Sequence, residues 1–287
     1  MRFADFFASP GHPVVSIEVY PPKSEKAMRD LQEVLPRLVA LRPDFMTVTY
    51  GAMGSTQART LEVAALIRRE YGLETASHLT CVGATRTEID GILDRLVAGR
   101  IENVVALRGD PPQGEKHFVA TEGGFAHASE LVAHLRSRGQ FGVAVAGYPE
   151  KHIEAPDLET DMAHLKSKVA AGADLVITQL FFDNKDYFAF VRRLRELGVT
   201  VPVVPGLLPI QSYSQIQRIT GLCGAKIPEE LRRELEAAGG DEKAMAEIGI
   251  RWTVSQCRGL LSGGAPGIHF YVLNRAGHME KIIPQIR

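Results

Sequence analysis

The sequence predicts an α/β fold, a single (β/α)8 TIM barrel with extra helices before the last strand. Short runs rich in Val, Ile and Ala alternate about eight times with longer segments of helical periodicity, as in a parallel barrel. The length of 287 residues is close to that of such barrels. An open doubly wound sheet is the competing fold. Its G-x-G-x-x-G loop is absent, because the first apolar run ends in Glu-Val-Tyr-Pro-Pro.

Each predicted strand is a short apolar run that ends at a proline, a glycine or a polar residue. In the fourth, the apolar residues 104–107 indicate a strand that is buried on both faces, and Gly109 and Pro111 end it. In the first, Glu18 interrupts the apolar run, so it lies either at an exposed sheet end or in a buried functional position. The strands are predicted at residues 14–20, 45–50, 76–81, 104–107, 142–148, 175–181, 202–207 and 268–273.

The segments between these strands carry apolar residues at helical spacing. The first has them at Met28, Leu31, Leu35, Leu38 and Leu41, three or four residues apart. Further helices are predicted at residues 57–71, 87–98, 128–137, 158–171 and 185–197, with a longer helical insertion at 212–261 and a final short helix. We find no linker, low-complexity tract or charge run, so residues 1–287 are predicted to form one domain.

The composition is that of a soluble globular protein, with 45% hydrophobic and 23% charged residues. A net charge of −1 offers no electrostatic case for binding nucleic acid or an acidic membrane. No apolar run approaches the roughly 20 residues that span a bilayer, and the first residues do not resemble a signal peptide. Three widely spaced cysteines favour reduced thiols and a cytoplasmic location.

Polar residues stand at the ends of the predicted strands, and the carboxyl ends of barrel strands are where such folds build active sites. Taken alone, each has a structural explanation; a single histidine such as His78 on a strand is more often a satisfied core residue. Their convergence on one end of the barrel predicts a site. The residues are Glu18, Thr49, Tyr50, Gly51, His78, Arg108, Gly109, Asp110, Tyr148, Gln179, Pro205, Gly206, Tyr271, Asn274 and Arg275.

Several kinds of chemistry are disfavoured by the same residues. His78 and Cys81 are three apart on a strand and face opposite sides, so no metal site is predicted. The strand ends lack the lysine that Schiff-base chemistry needs, and no G-x-S-x-G motif indicates a hydrolase. Catalysis here would therefore rely on a bound cofactor for its electron chemistry.

Eight segments at successive strand ends closely resemble the methylenetetrahydrofolate reductase family, over nearly the whole chain and in the same order. They are S-I-E-V-Y-P-P, V-T-Y-G-A, S-H-L-T-C, A-L-R-G-D-P-P, A-G-Y-P-E, I-T-Q-L-F-F-D, P-V-V-P-G-L-L-P-I and H-F-Y-V-L-N-R-A. The resemblance, to the short bacterial form, implies an FAD-dependent barrel that reduces 5,10-methylenetetrahydrofolate to 5-methyltetrahydrofolate. It also implies NADH or NADPH as hydride donor, a ping-pong reaction in one-carbon metabolism that feeds methionine synthesis, and a homo-oligomer.

The resemblance also assigns roles to individual residues. Glu18 becomes the general acid that protonates the folate as its five-membered ring opens, and we expect burial to raise the pKa of its carboxyl group. Asp110 becomes a catalytic residue near the flavin and the pterin. The implied substrate contacts are Asp110, Gln179, Gln215 and Arg275. The implied cofactor contacts are Thr49, Tyr50, Ala52, His78, Arg108, Gly109, Asp110, Ala128, Tyr148, His152, Ala155, Asp161, His164 and Lys168.

Two positions depart from the family pattern. Ser167 stands where some members carry an arginine near the FAD phosphates, and Ile219 stands where some carry an aromatic residue that stacks on the ligand. Two other functions remain open on the sequence: another flavin-dependent barrel, such as a proline dehydrogenase-like oxidoreductase, and a folate-binding module that has lost the flavin. The sequence does not distinguish NADH from NADPH.

Overall fold

The computed structural model describes residues 1–8, 11–50, 57–111, 114 and 118–287, and within them it confirms the predicted barrel. All strand pairs are parallel, and strands that are consecutive in sequence are neighbours in the sheet except at one point, between the seventh and the eighth strand. The strands are β1 Val14–Val19, β2 Phe45–Val48, β3 Glu74–Thr80, β4 Asn103–Leu107, β5 Gly142–Gly147, β6 Leu175–Thr178, β7 Val203–Val204, β8 Gly206–Leu207 and β9 Gly267–Tyr271.

The predicted strand at 202–207 is split in two at Pro205. Proline has no backbone N–H to give to a sheet and is therefore a natural point of interruption. Before it, β7 pairs with β6; after it, β8 pairs with β9, which in turn pairs with β1. This seam closes the barrel, and the Pro205 carbonyl still accepts a hydrogen bond from His269 N at 2.9 Å.

Apart from the first, the helices fall where periodicity placed them, with the long insertion divided into three. They are α1 Phe3–Ala8, α2 Glu25–Ala40, α3 Gln57–Tyr71, α4 Arg86–Ala98, α5 Ala128–Arg138, α6 Leu158–Ala170, α7 Asn184–Glu196, α8 Tyr213–Cys223, α9 Glu229–Ala237, α10 Glu242–Ser262 and α11 Met279–Ile282. Gly224, in the left-handed region at φ 76°, ends α8 and separates it from α9. None of the described helices has the length and apolar character to cross a bilayer.

The core has two main layers and a smaller third one. One layer packs the outer faces of the strands against the helices, and a second joins alternate residues of the strands with Phe3. The third lies beneath α8, α9 and α10, where Ile210, Ile216 and Leu231 are fully buried. Ile282 and Ile283 also pack into the main core, so these two residues do not form an exposed apolar surface.

The short helix α1, which the sequence analysis did not predict, covers the amino-terminal end of the barrel. Phe3 is fully buried, and its backbone N–H donates to Asn103 Oδ1 at 2.8 Å. Asn103 Nδ2 in turn donates to the Met1 carbonyl at 2.8 Å. A side chain at residue 142 would place its Cβ 2.5 Å from Asn103 Oδ1, so glycine is required there. The amino-terminal end of the barrel is therefore closed by α1, and the polar residues at the strand ends lie at the opposite, carboxyl end.

Candidate active site

Glu18 is the centre of the polar cluster inside the carboxyl end of the barrel. It lies on β1 with its side chain only 15% exposed. Its Oε2 accepts a hydrogen bond from Thr47 Oγ1 at 3.3 Å and lies 3.4 Å from His269 Nε2 and 3.1 Å from His78 Nε2. Neighbouring strands β2, β3 and β9 thus each bring one polar side chain to the same carboxylate oxygen.

His269 is a functional candidate that the sequence analysis missed. It is fully buried, and its Nδ1 lies 2.8 Å from Ser16 Oγ while its other ring nitrogen faces Glu18. Both ring nitrogens therefore have partners on β1. The sequence did contain a signal for His269. Side chains two residues apart lie on the same face of a strand, so His269 shares its face of β9 with Tyr271, which was predicted to lie in the site.

His78 contacts Glu18 in a different way. The separation of 3.1 Å is short enough for an ion pair, but His78 Nε2 is buried and makes no well-aligned hydrogen bond among the described residues. The contact between His78 and Glu18 is therefore electrostatic and is not a well-aligned hydrogen bond. A buried ring nitrogen without an aligned partner is costly unless a ligand or a proton transfer uses it.

The surroundings correct our expectation for the pKa of Glu18. Burial raises it, as expected, but the nearby imidazoles of His78 and His269 together lower it more, to about 2. The carboxyl group of Glu18 is thus ionised near neutral pH. Glu18, His78 and His269 therefore form one electrostatically coupled cluster.

A second group of residues lies beside this cluster at the ends of β6 and β9. Tyr271 Oη donates to the Thr178 carbonyl at 2.6 Å, and burial raises the pKa of Tyr271 well above its usual value. Thr178 Oγ1 accepts from Gly206 N at 2.9 Å. Gln179 is half-buried next to Thr178, with its Oε1 accepting from Leu180 N at 2.9 Å, which leaves its amide NH2 as the free end.

Arg108 and Glu154 form a bidentate ion pair at the mouth of the barrel. Arg108 Nη1 and Nη2 lie 2.7 and 2.9 Å from the two carboxylate oxygens of Glu154, and the guanidinium lies 5.0 Å from the ring centre of Phe118. Gly109 follows in the left-handed region at φ 89°, and a Cβ there would lie 2.7 Å from Val82 Cγ1. Asp110 is exposed beside them.

The loop between β5 and α6 carries the next predicted cofactor residues. The rings of Tyr148 and His152 meet edge to face, 4.6 Å between centres. Burial, followed by the charges of Asp110 and Asp161, raises the pKa of Tyr148. Asp161 Oδ2 accepts from the backbone N–H of His152 at 3.0 Å, which ties this loop to the first turn of α6.

Lys168 extends from α6 towards the end of β5. Its ammonium group donates to the Ala146 carbonyl at 2.6 Å, the one hydrogen bond it makes among the described residues. Burial lowers the pKa of Lys168 to about 8, although the charge of Asp161 acts in the opposite direction. An ammonium group has further N–H donors, which are available to a ligand.

The residues present fit a flavin dinucleotide. Buried donors without hydrogen-bond partners in the described structure include His78 Nε2 and Thr80 Oγ1, and Lys168 supplies positive charge for a diphosphate. Arg108 would add to this charge on exchanging Glu154 for the diphosphate. Thr49 and Tyr50 are half-buried at the end of β2, and burial raises the pKa of Tyr50 to about 12. Ala128 and Ala155 are also half-buried, whereas His164 is exposed; Ala52 and Gly51 lie outside the described residues.

The two positions that depart from the family pattern have structural roles. Ser167 Oγ donates to the Ala163 carbonyl of its own helix at 3.0 Å, and Ile219 packs against the third core layer. On the remaining side of the mouth, Arg275 and Gln215 are joined through Gln211. In the described part of the chain, no group of three or more His, Cys, Asp and Glu residues is arranged to hold a metal ion.

A parallel (β/α)8 barrel with ionisable side chains gathered at the carboxyl ends of its strands has the architecture of barrel enzymes. The chain belongs to the methylenetetrahydrofolate reductase family, whose sequence model matches residues 3–287.

Similar proteins come from plants and bacteria. The chain is 43% identical over 275 residues to methylenetetrahydrofolate reductase (NADH) 1 of Arabidopsis thaliana, which covers 92% of the chain and 46% of the plant protein. It is 36% identical over 262 residues to 5,10-methylenetetrahydrofolate reductase of Salmonella typhimurium, covering 91% of the chain and 86% of that protein. The chain therefore spans about half the length of the plant relatives but most of the bacterial one.

One solved structure of similar fold is an uncharacterized protein from Clostridium thermocellum that binds two copies of 5-methyl-5,6,7,8-tetrahydrofolic acid. It matches with a TM-score of 0.66, covering 98% of this chain and 96% of its own. At 15% sequence identity this similarity supports the fold alone.

Proposed function

We propose that the chain, as one catalytic domain, reduces 5,10-methylenetetrahydrofolate to 5-methyltetrahydrofolate by a ping-pong reaction with NADH or NADPH through bound FAD. The observation that carries the proposal is Glu18 between two imidazoles at the carboxyl end of a barrel of this family. Plant relatives are named for NADH, which favours NADH as the donor.

The proton for the folate is supplied by the cluster around Glu18. As the five-membered ring of the substrate opens, the nitrogen that leaves the bridging carbon has to take up a proton. Glu18 Oε2, 3.4 Å from His269 Nε2 and 3.1 Å from His78 Nε2, can receive a proton from either imidazole and pass it on to that nitrogen. Ser16 holds His269 in the required orientation through Nδ1.

The cofactor would be held on the opposite side of the mouth. Lys168 and Arg108 would neutralise the diphosphate, Asp161 would accept from a ribose hydroxyl, and Tyr148, His78 and Thr49 would surround the flavin. When bound, the flavin supplies the hydride transfer that no side chain of the chain can perform. Asp110, exposed beside Arg108, would accept hydrogen bonds from the N–H groups of the pterin.

FAD affinity is expected to fall as the pH rises above about 8. The pKa of Lys168 is about 8 in the ligand-free protein, and an anionic diphosphate stabilises the protonated form, which raises that pKa on binding. The dissociation constant should therefore be constant below the free pKa and increase by up to about tenfold per pH unit above it.

Fluorescence titration of the apoprotein with FAD between pH 6 and 10 checks this expectation. Lys168→Arg, which keeps its charge throughout this range, is the control and should remove the rise. A dissociation constant for the unmodified chain that does not change with pH would contradict the placement of Lys168 at the diphosphate.

The reaction itself is tested by an absorption spectrum before and after anaerobic addition of NADH. We expect a flavin spectrum that bleaches with NADH and recovers with methylenetetrahydrofolate. Bleaching only by another donor, such as proline, would favour a different flavin-dependent barrel. A colourless protein that does not take up FAD would favour the folate-binding module.

The proposal also includes a cytoplasmic location and assembly into a homo-oligomer. The three cysteines carry free thiols, two of them buried, which supports a reducing, cytoplasmic environment. Production of methyltetrahydrofolate would place the chain before methionine synthesis. A homo-oligomer stays a prediction from the family resemblance.

A further inference from the structure

A strained turn follows β9 at the mouth of the barrel. Leu273 and Asn274 are consecutive non-glycine residues with positive φ, 50° and 54°. Such a conformation costs of order 1 kcal/mol for each residue and persists only where the surroundings fix it. Here Asn274 is fixed by Tyr20: its Oδ1 accepts from Tyr20 N at 2.9 Å, and its Nδ2 donates to the Tyr20 carbonyl at 2.9 Å.

The two hydrogen bonds between Asn274 and Tyr20 also restrain the next residue, Arg275. Arg275 N donates to the Val272 carbonyl at 3.0 Å, so the backbone of Arg275 is held between the turn and β9. Its guanidinium Nη1 then donates to Gln211 Oε1 at 2.6 Å. The exposed arginine is therefore restrained at both its backbone and its side chain.

Gln211 also restrains the second predicted substrate residue. Its backbone N–H donates to Gln215 Oε1 at 2.8 Å, while Gln215 N is bound by the capping hydroxyl of Ser212 at 3.2 Å. Since a backbone N–H can only donate, the amide oxygen of Gln215 has to face Gln211. The amide nitrogen is consequently the free end, and it is buried without a hydrogen-bond partner in the described structure.

The backbone position of Gln211 is set from the neighbouring helix. Ile210 is fully buried, and α10 passes its carbonyl at Gly249, where any Cβ would overlap the Ile210 carbonyl oxygen. The loop that carries Gln211 thus rests directly on helix backbone.

We infer that Gln211 is a positioning residue that presents Arg275 and the amide nitrogen of Gln215 to a carboxylate of the substrate. Its neutral amide oxygen holds the guanidinium by one hydrogen bond without cancelling its charge, and the other N–H groups of Arg275 remain available. Arg275 is the cationic donor of the two and Gln215 the neutral one. This inference rests on the proposed function, in which the carboxylate is that of the glutamyl tail of the folate.

Two variants of Gln211 and one control variant separate the effect of charge at this position from the effect of losing its hydrogen bond. Gln211→Glu gives Arg275 an anionic partner that competes with the substrate carboxylate, Gln211→Leu removes the acceptor, and Gln217→Glu places the same charge on an exposed position of α8 as a control. Reoxidation of the NADH-reduced protein is followed with methylenetetrahydrofolate and with a methylenetetrahydropterin that lacks the glutamyl tail.

For methylenetetrahydrofolate we expect Gln211→Glu to raise KM about tenfold with kcat unchanged, since a contact with the tail is the same in ground and transition states. Gln211→Leu should raise KM by a factor of about 3, because Arg275 keeps its charge but loses its restraint. With the tail-less pterin, all three variants should match the unmodified protein.

The outcomes distinguish this inference from the proposed function. Equal KM values for Gln211→Glu and Gln217→Glu with an active unmodified protein would overturn the role of Gln211 alone. A tenfold effect that also appears with the tail-less pterin would overturn the assignment to the tail carboxylate. Failure of the unmodified protein to be reoxidised by either pterin would overturn the proposed function, and this inference with it.

Discussion

Glu18→Gln is expected to abolish reoxidation by methylenetetrahydrofolate while the flavin is still reduced by NADH. The amide keeps the size of the side chain but cannot pass a proton from His269 or His78 to the substrate. Loss of a positioned general acid slows a reaction by about 10²–10⁴-fold. Hydride transfer from NADH needs no such proton, so the first half-reaction should keep its rate. Stopped-flow absorbance measures the two half-reactions separately.

Thr47→Val is the matched control for Glu18→Gln. It removes the hydrogen bond of 3.3 Å from the threonine hydroxyl to the same carboxylate oxygen and leaves the acid and both imidazoles in place. We expect the reoxidation rate to fall by no more than about tenfold, in line with the net value of one hydrogen bond. Reoxidation of Glu18→Gln at the rate of the unmodified protein would remove Glu18 from the chemistry.

Gly206→Ala is expected to produce a large loss of stability at the barrel seam. A Cβ at this position would overlap the Thr178 carbonyl oxygen and lie 2.7 Å from the Tyr271 hydroxyl. Either β8 separates from β9 or the hydrogen bond between Tyr271 and Thr178 breaks. Overpacking against backbone costs about 3 kcal/mol, which lowers Tm by about 6–12 °C in a chain of this size.

Gly221→Ala provides the comparison for Gly206→Ala. Gly221 lies within α8, and a Cβ there meets no atom within 4 Å, so alanine should stabilise the helix by about 1 kcal/mol through its higher propensity. Thermal unfolding followed by circular dichroism measures both variants. A Tm for Gly206→Ala within about 2 °C of that of the unmodified chain would contradict the prediction, because it would show that the barrel seam accommodates the added methyl group.

Local patterns were sufficient to predict the barrel and the end at which its site lies. Residues 104–107 form a strand because four apolar residues in succession fit only a sheet buried on both faces, and β4 is observed there at Asn103–Leu107. The predicted helix at 57–71 agrees with α3 in both limits. Glu18 was found because a carboxylate within an apolar strand is rare.

The features that the sequence did not predict depend on contacts between residues that are distant in the chain. The apolar run at 175–181 was predicted as one strand, yet β6 ends at Thr178, because Leu180 and Phe181 are buried in loop packing that periodicity does not distinguish from a strand. The lowered pKa of Glu18 comes from His78 and from His269, which lie on other strands, and His269 is 251 residues away in sequence. The pairing of Arg108 with Glu154 likewise joins two loops that only the fold brings together.

The contact between Phe3 and Asn103 has a consequence for the order in which the chain folds during synthesis. The two residues are 100 positions apart, so the segment around Phe3 leaves the ribosome well before its partner on β4. Gly142, which makes room for Asn103 Oδ1, follows later still. The hydrogen bond between Phe3 and Asn103 therefore cannot form until about half of the barrel has been translated, whereas Phe45, whose ring packs against Phe3, is synthesised much earlier. Contacts of such high sequence separation slow folding, so the docking of the first helix is completed late.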